Sequence, residues 1–167
     1  MPKTRRQVDI HKAHPKLRLV KREIEDAVAV LDDHAAKFQG GCPAGELSLA
    51  FLTDEGIAQV HGDFMNDPTT TDVITFEGIP SIGQAGEICL SVDTAARYVG
   101  IIANTASSQS RQRKFSAELI LYLVHGWLHL AGYDDLQPAK KRRMRAAEKR
   151  AMTLLRKQRA LPSLRFG

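Results

Sequence analysis

Between Leu119 and Leu130 the chain is apolar almost all the way round a helix: Leu119, Ile120, Leu121, Leu123, Val124, Trp127, Leu128 and Leu130 leave no polar stripe. A helix of that kind is stable only when buried, so the rest of the chain has to wrap it. Two histidines, His125 and His129, sit inside it, and a separation of four residues puts both rings on one face. A buried imidazole must be hydrogen-bonded or metal-bound, and Leu, Val and Trp neighbours supply almost no partners. Gly132 offers a left-handed stop, and Tyr133, Asp134 and Asp135 follow at once. For a single histidine, a core ring satisfied by backbone would be the better reading. The pair, with two carboxylates just past the stop, favours a metal. Two imidazoles and one carboxylate make a three-ligand zinc site with a position left open, the catalytic rather than the structural arrangement. This predicts a metal-dependent hydrolase, with Asp134 or Asp135 as third ligand.

The metalloprotease pattern H-E-x-x-H is absent, because Gly126 stands where the general-base glutamate would be. A zincin-type peptidase is therefore disfavoured. Gly126 instead allows a close approach to the helix, by another backbone, by substrate, or by a packed neighbouring helix.

Around that helix the patterning predicts four strands and four further helices. Gln7–His11 alternates as a short strand, and the apolar period Val20, Ile24, Ala27, Val28, Leu31, Ala35 predicts a helix over 16–37. Residues 46–52 alternate again. Asp54 can cap a helix over 55–64 with Ile57, Val60 and Phe64 on one face. Asp67-Pro68-Thr69-Thr70-Thr71-Asp72 is turn chemistry leading into strand 73–76, and residues 87–92 form a further strand. Asp93 can cap a helix through Ala103, and Ser116 can cap the central helix with Glu118 in its first turn. Pro138 suits the first turn of a last helix whose packing stripe is Met144, Ala147, Ala151 and Leu155.

With 167 residues, 43% of them hydrophobic, the chain reads as one domain, 1–167, with a core of its own. No run is long enough to span a membrane, and the basic start has no apolar segment after it, so no secretory signal is expected. Cys42 and Cys89 form no C-x-x-C, which suits free thiols in a reducing cytosol. The net charge of +5 is unevenly spread. Lys140 to Gly167 carries eleven Lys or Arg against Glu148 alone, a net +10, leaving −5 for residues 1–139. A basic helix and tail over about 138–167, with a weaker basic stretch from Lys3 to Arg22, fits a nucleic-acid partner. A solvated helix face with frayed ends fits the charge equally well.

The stretch from His125 to Asp135 resembles the signature of the YbeY family of metal-dependent endoribonucleases, H-G-x-L-H-L-x-G-Y-D-H. Ten of its eleven positions, the free ones included, can be followed from His125 to Asp134. Thr71-Asp72-Val73-Ile74-Thr75-Phe76 is similar to the family's P-T-D-V-L-S-F, Gly86-Glu87-Ile88 to its G-D-I, and Met144 with Glu148 to a recurrent M-x-x-x-E. The likeness runs from about residue 46 to 155. It implies a compact α/β domain with a small mixed sheet. It also implies one zinc ion, cleavage of single-stranded RNA in ribosomal RNA maturation, and ribosomal subunits as partners in the cytoplasm.

Two departures stand out. The family's third histidine falls on Asp135, so the implied ligand set is His125, His129 and Asp135. A carboxylate there makes a weaker Lewis acid of the metal than a third imidazole would, which predicts a more alkaline activity optimum than that of an Asp135→His variant. The family's arginine in N-x-x-Y-R falls on Met65, within His61-Gly62-Asp63-Phe64-Met65. Methionine cannot hold a phosphate, so either another basic residue substitutes or the enzyme is slow. No general base stands out: Asp72, Glu87 and Asp134 are candidates only because their motifs match, and Asp134 is better suited to orienting a ligand histidine. Two rival functions remain, a metal-dependent hydrolase of another substrate and a non-catalytic ribosome- or RNA-binding module with a structural metal.

Overall fold

The computed structural model describes residues 5–67, 71–102 and 105–167. Alternation along the strands sets the frame. In β3 (Glu46–Leu52) Leu47, Leu49 and Phe51 are buried in the main core, while Ala50 joins a smaller cluster with Ile57, Ile74 and Cys89 on the opposite face. The sheet is ordered β1-β3-β5-β4. β1 (Val8–Lys12) and β5 (Gln84–Ser91) run parallel to β3, and β4 (Val73–Glu77) closes the edge antiparallel to β5. Among the described residues there are five α-helices, as the patterning predicts: α1 (Lys21–Asp33), α2 (Asp54–Met65), α3 (Val92–Tyr98), α4 (Gln109–Leu130) and α5 (Pro138–Lys157). The mixed α/β domain expected from the sequence is the one observed.

The differences lie at element ends. The first helix starts later than the apolar period implies, because Leu17–Arg18 is drawn out as β2 to pair antiparallel with β6 (Arg165–Phe166). Thr53, not Asp54, caps α2, accepting from the Gly56 N–H, and Phe64 at its far end is exposed. Ser91, not Asp93, caps α3, accepting from Thr94 N–H. The carboxylate of Asp93 is taken up instead by His14 Nε2 at 2.7 Å and by the Asp54 N–H at 2.8 Å. α3 ends at Tyr98, and the expected terminus at Ala103 lies outside the described residues, as do Pro68, Thr69 and Thr70 of the expected turn. The central helix begins at Gln109 with Ser108 as cap, so Ser116 and Glu118 sit inside it rather than in its first turn. Ser116 Oγ donates to Pro162 C=O and accepts from Leu164 N–H, both at 2.9 Å, and Gln112 brackets the Phe166 backbone. These bonds dock the C-terminal segment against α4, so that end of the basic tail is not frayed.

Both cysteines are free and buried. Among the described residues no helix is long and apolar enough to cross a membrane.

Candidate metal centre

α4 is the buried helix its composition demands: Leu119, Ile120, Leu123, Val124, Trp127 and Leu128 are at most 1% exposed. Trp127 Nε1 donates to Asp32 Oδ1 at 3.1 Å, and Arg6 grips the same carboxylate through Nε and a terminal nitrogen at 2.6 and 2.9 Å. Gly126 seats the helix on the sheet, since a Cβ there would stand 2.5 Å from Ile88 Cγ2 on β5. The close neighbour is therefore a strand side chain, not a backbone, a second helix or substrate.

This seating turns His125 and His129 toward the edge strand β4. Their rings meet edge to face with centroids 4.6 Å apart, and both side chains keep partial exposure, 21% and 30%. At the helix end the Gly132 and Tyr133 N–H groups return to His129 and Leu128 carbonyls, and Gly132 takes φ of 105°, where a side chain would be strained. The tight reversal carries Asp135 back over the histidines, its oxygens 3.8 Å from His125 Nε2 and 3.9 Å from His129 Nε2. One ligand atom from each of the three lies within 4.8 Å of the others. Tetrahedral zinc with bonds near 2.1 Å needs ligand atoms about 3.4 Å apart, so atoms now within 4.8 Å of one another would draw in on binding, by up to roughly 1.4 Å for the widest pair. Both imidazoles and carboxylate are suitable donors. His125, His129 and Asp135 can hold the metal.

Asp134 does not orient either ring, contrary to the expectation from sequence. Its carboxylate accepts from Leu136 N–H at 3.2 Å and pairs with Lys140 at 3.3 Å, and the backbone bond, then the lysine, hold its pKa below the usual range. The histidine's partner is Glu148 on α5, whose Oε1 lies 2.9 Å from His125 Nδ1. Burial alone would lower the His125 pKa, but the hydrogen bond and charge of Glu148, with Asp135 and Asp72 adding, raise it above the ordinary imidazole value. His129 goes the other way, lowered by burial and by the charge of His125. A Nδ1–H held by carboxylate leaves Nε2 of His125 as the ligand atom. Glu148 stands out in the sequence only as part of M-x-x-x-E, with nothing to join it to a ring 23 residues away.

The other two candidate bases do not line the cavity on which the histidines open, although the charge of Asp72 reaches His125. Asp72 Oδ1 accepts from Val73 N–H at 2.8 Å, and Glu87 lines a separate cavity with Glu46, Ser48 and Gln84. The histidines open on a cavity of about 310 Å³ lined also by His61 and Met65 of α2 and by Val73, Thr75 and Glu77 of β4. Met65, at the position of the family arginine, does reach this cavity. Sequence reasoning misses His61 and Thr75, which carry no local signal of a shared cavity.

Comparison with known proteins places the chain in a family. The model of the family described as Endoribonuclease YbeY matches residues 8–156. A protein of that name from Chlamydia pneumoniae is 36% identical, over 70% of this chain and 73% of its own length. Its namesake from Lysinibacillus sphaericus is 32% identical over 71% of this chain and 78% of its own, and that from Porphyromonas gingivalis 30% over 70% and 71%. A solution structure from Thermotoga maritima, 20% identical, superposes with a TM-score of 0.57 over 94% of this chain and 95% of its own, which is a likeness of fold. With the signature helix, the mixed sheet and the family match along most of its length, this chain belongs to the YbeY family.

Proposed function

We infer that this protein is a zinc-dependent endoribonuclease that cuts single-stranded RNA during ribosomal RNA maturation, working in the cytoplasm on ribosomal subunits. The observation that carries the reading is the convergence of His125, His129 and Asp135 at the mouth of a cavity, in a chain of this family. When bound there, zinc supplies a Lewis acid for a phosphoryl oxygen and makes water a usable nucleophile near neutral pH. Glu148 fixes the His125 tautomer, and the Gly132 turn fixes Asp135. Lys141, Arg142, Arg145, Lys149, Arg156 and Lys157 on exposed positions of α5 offer a phosphate track that does not depend on sequence. With about five phosphates engaged on a single strand, affinity should fall roughly 100-fold between about 50 and 200 mM salt.

The test is cleavage of a labelled single-stranded RNA by metal-free protein before and after zinc is restored, with His129→Ala as control against a contaminating nuclease. Zinc-dependent cutting that vanishes in the variant supports the reading. If the zinc-loaded protein cuts nothing, the reading is wrong; RNA binding that survives His129→Ala would then point to a binding module.

A further inference from the structure

The cavity beside the histidine pair carries polar groups that metal ligation does not use. Thr75 lies on β4 between Val73 and Glu77, and its Oγ1 is buried without a hydrogen-bond partner. A buried hydroxyl left in that state costs free energy that a ligand accepting its proton would recover. His61, on the last two turns of α2, brings a third imidazole to the same cavity, its Nε2 3.9 Å from Asp67 Oδ2. No lysine or arginine is among the described residues lining the cavity, whereas Glu77 is. A phosphodiester entering it would meet carboxylate charge and needs hydrogen-bond donors on the protein side. Imidazole donates through one N–H when neutral and two when protonated. Met65, one turn further along α2, lines the cavity without a donor.

We propose that His61 and Thr75 form the phosphate-holding wall of the site, donating hydrogen bonds to oxygens of the scissile phosphate while His125, His129 and Asp135 hold the metal. The inference rests on the nuclease reading and specifies how substrate is gripped in it. Donors placed where charge develops in the transition state act mainly on the rate.

The experiment is steady-state cleavage of labelled single-stranded RNA by the zinc-loaded protein, with inorganic phosphate as competitive inhibitor. His61→Ala and Thr75→Val should each lower kcat/KM by about 10- to 100-fold. Each should also raise the phosphate inhibition constant roughly 5- to 10-fold. Zinc stoichiometry and circular dichroism should not change. Thr75→Ser should behave as wild type, and Met65→Arg should restore most of the loss in His61→Ala, because an arginine there reaches the same cavity. Should His61→Ala fail to fold, His61→Gln, which fills similar space, takes its place. Unchanged kcat/KM and unchanged phosphate inhibition in folded, zinc-binding variants overturn the proposal. If the wild type cuts nothing, the nuclease reading falls by itself, and calorimetric titration of inorganic phosphate into zinc-loaded protein decides the wall. Saturable binding lost in both variants upholds it; absent or equal binding overturns it.

Discussion

Replacing Glu148 by glutamine isolates one interaction at the metal centre. Its carboxylate lies 2.9 Å from His125 Nδ1 with the side chain 15% exposed, so the bond is charge-assisted and largely shielded from solvent. Glutamine fills the same space but has no charge to offer the Nδ1–H. Loss of such a partner behind a ligand histidine typically costs 10- to 100-fold in metal affinity, or about 1.4–2.7 kcal/mol. Glutamine keeps a neutral acceptor, which points to the lower half of that range, about 10- to 30-fold. The assay is zinc competition against a chromophoric chelator at about pH 8.5, above the range in which protons compete for imidazole. Asp134→Asn is the internal control: that carboxylate binds Leu136 N–H and Lys140, not a histidine. Its affinity should change less than about threefold, the size of a general charge effect at an exposed position. Equal losses in the two variants, or none in Glu148→Gln, would refute the assignment of Glu148 as the histidine's partner.

Three further outcomes are expected. Gly126→Ala should destabilise by about 2 kcal/mol despite the better helix propensity of alanine, lowering Tm by roughly 5 °C, because the new methyl meets the stiff branched carbons of Ile88. In thermal melts Ile88→Ala should cost less in that background than in wild type, and a simple sum of the two effects would argue against the clash. Asp32→Ala takes the counter-charge from Arg6, which keeps its bonds to the Pro43, Gly45 and Cys42 carbonyls, and leaves the Trp127 N–H without its acceptor. It should cost about 3 kcal/mol in urea unfolding followed by tryptophan fluorescence; a loss under about 1 kcal/mol would mean water replaces the carboxylate freely. Asp135→His takes a negative charge off the metal centre, so the pH–rate profile for RNA cleavage should move to lower pH, and a profile that stays or rises would contradict the electrostatic account.

Periodicity and donor chemistry are local, and the features that depend on them are legible in the amino-acid sequence alone. The apolar circumference of Leu119–Leu130 requires burial, the spacing of His125 and His129 puts their rings together, and Gly132 ends the helix in the left-handed region. Pro138 opens α5, and Met144, Ala147, Ala151 and Leu155 form its buried stripe as the pattern implies. The caps are less legible, because neighbouring residues compete for each role. Asp93 and Ser116 have good capping side chains, yet His14 claims one and the Pro162–Leu164 backbone the other, so Ser91 and Ser108 cap instead. Only the packing of rigid elements could decide the remainder. α5 lies on α4 so as to bring Glu148 behind His125, the Gly126–Ile88 contact seats α4 on β5, and α2 ends where His61 and Met65 share a cavity with β4. Those meetings join residues far apart in the chain, and nothing in the local spacing of either partner encodes the distance between them.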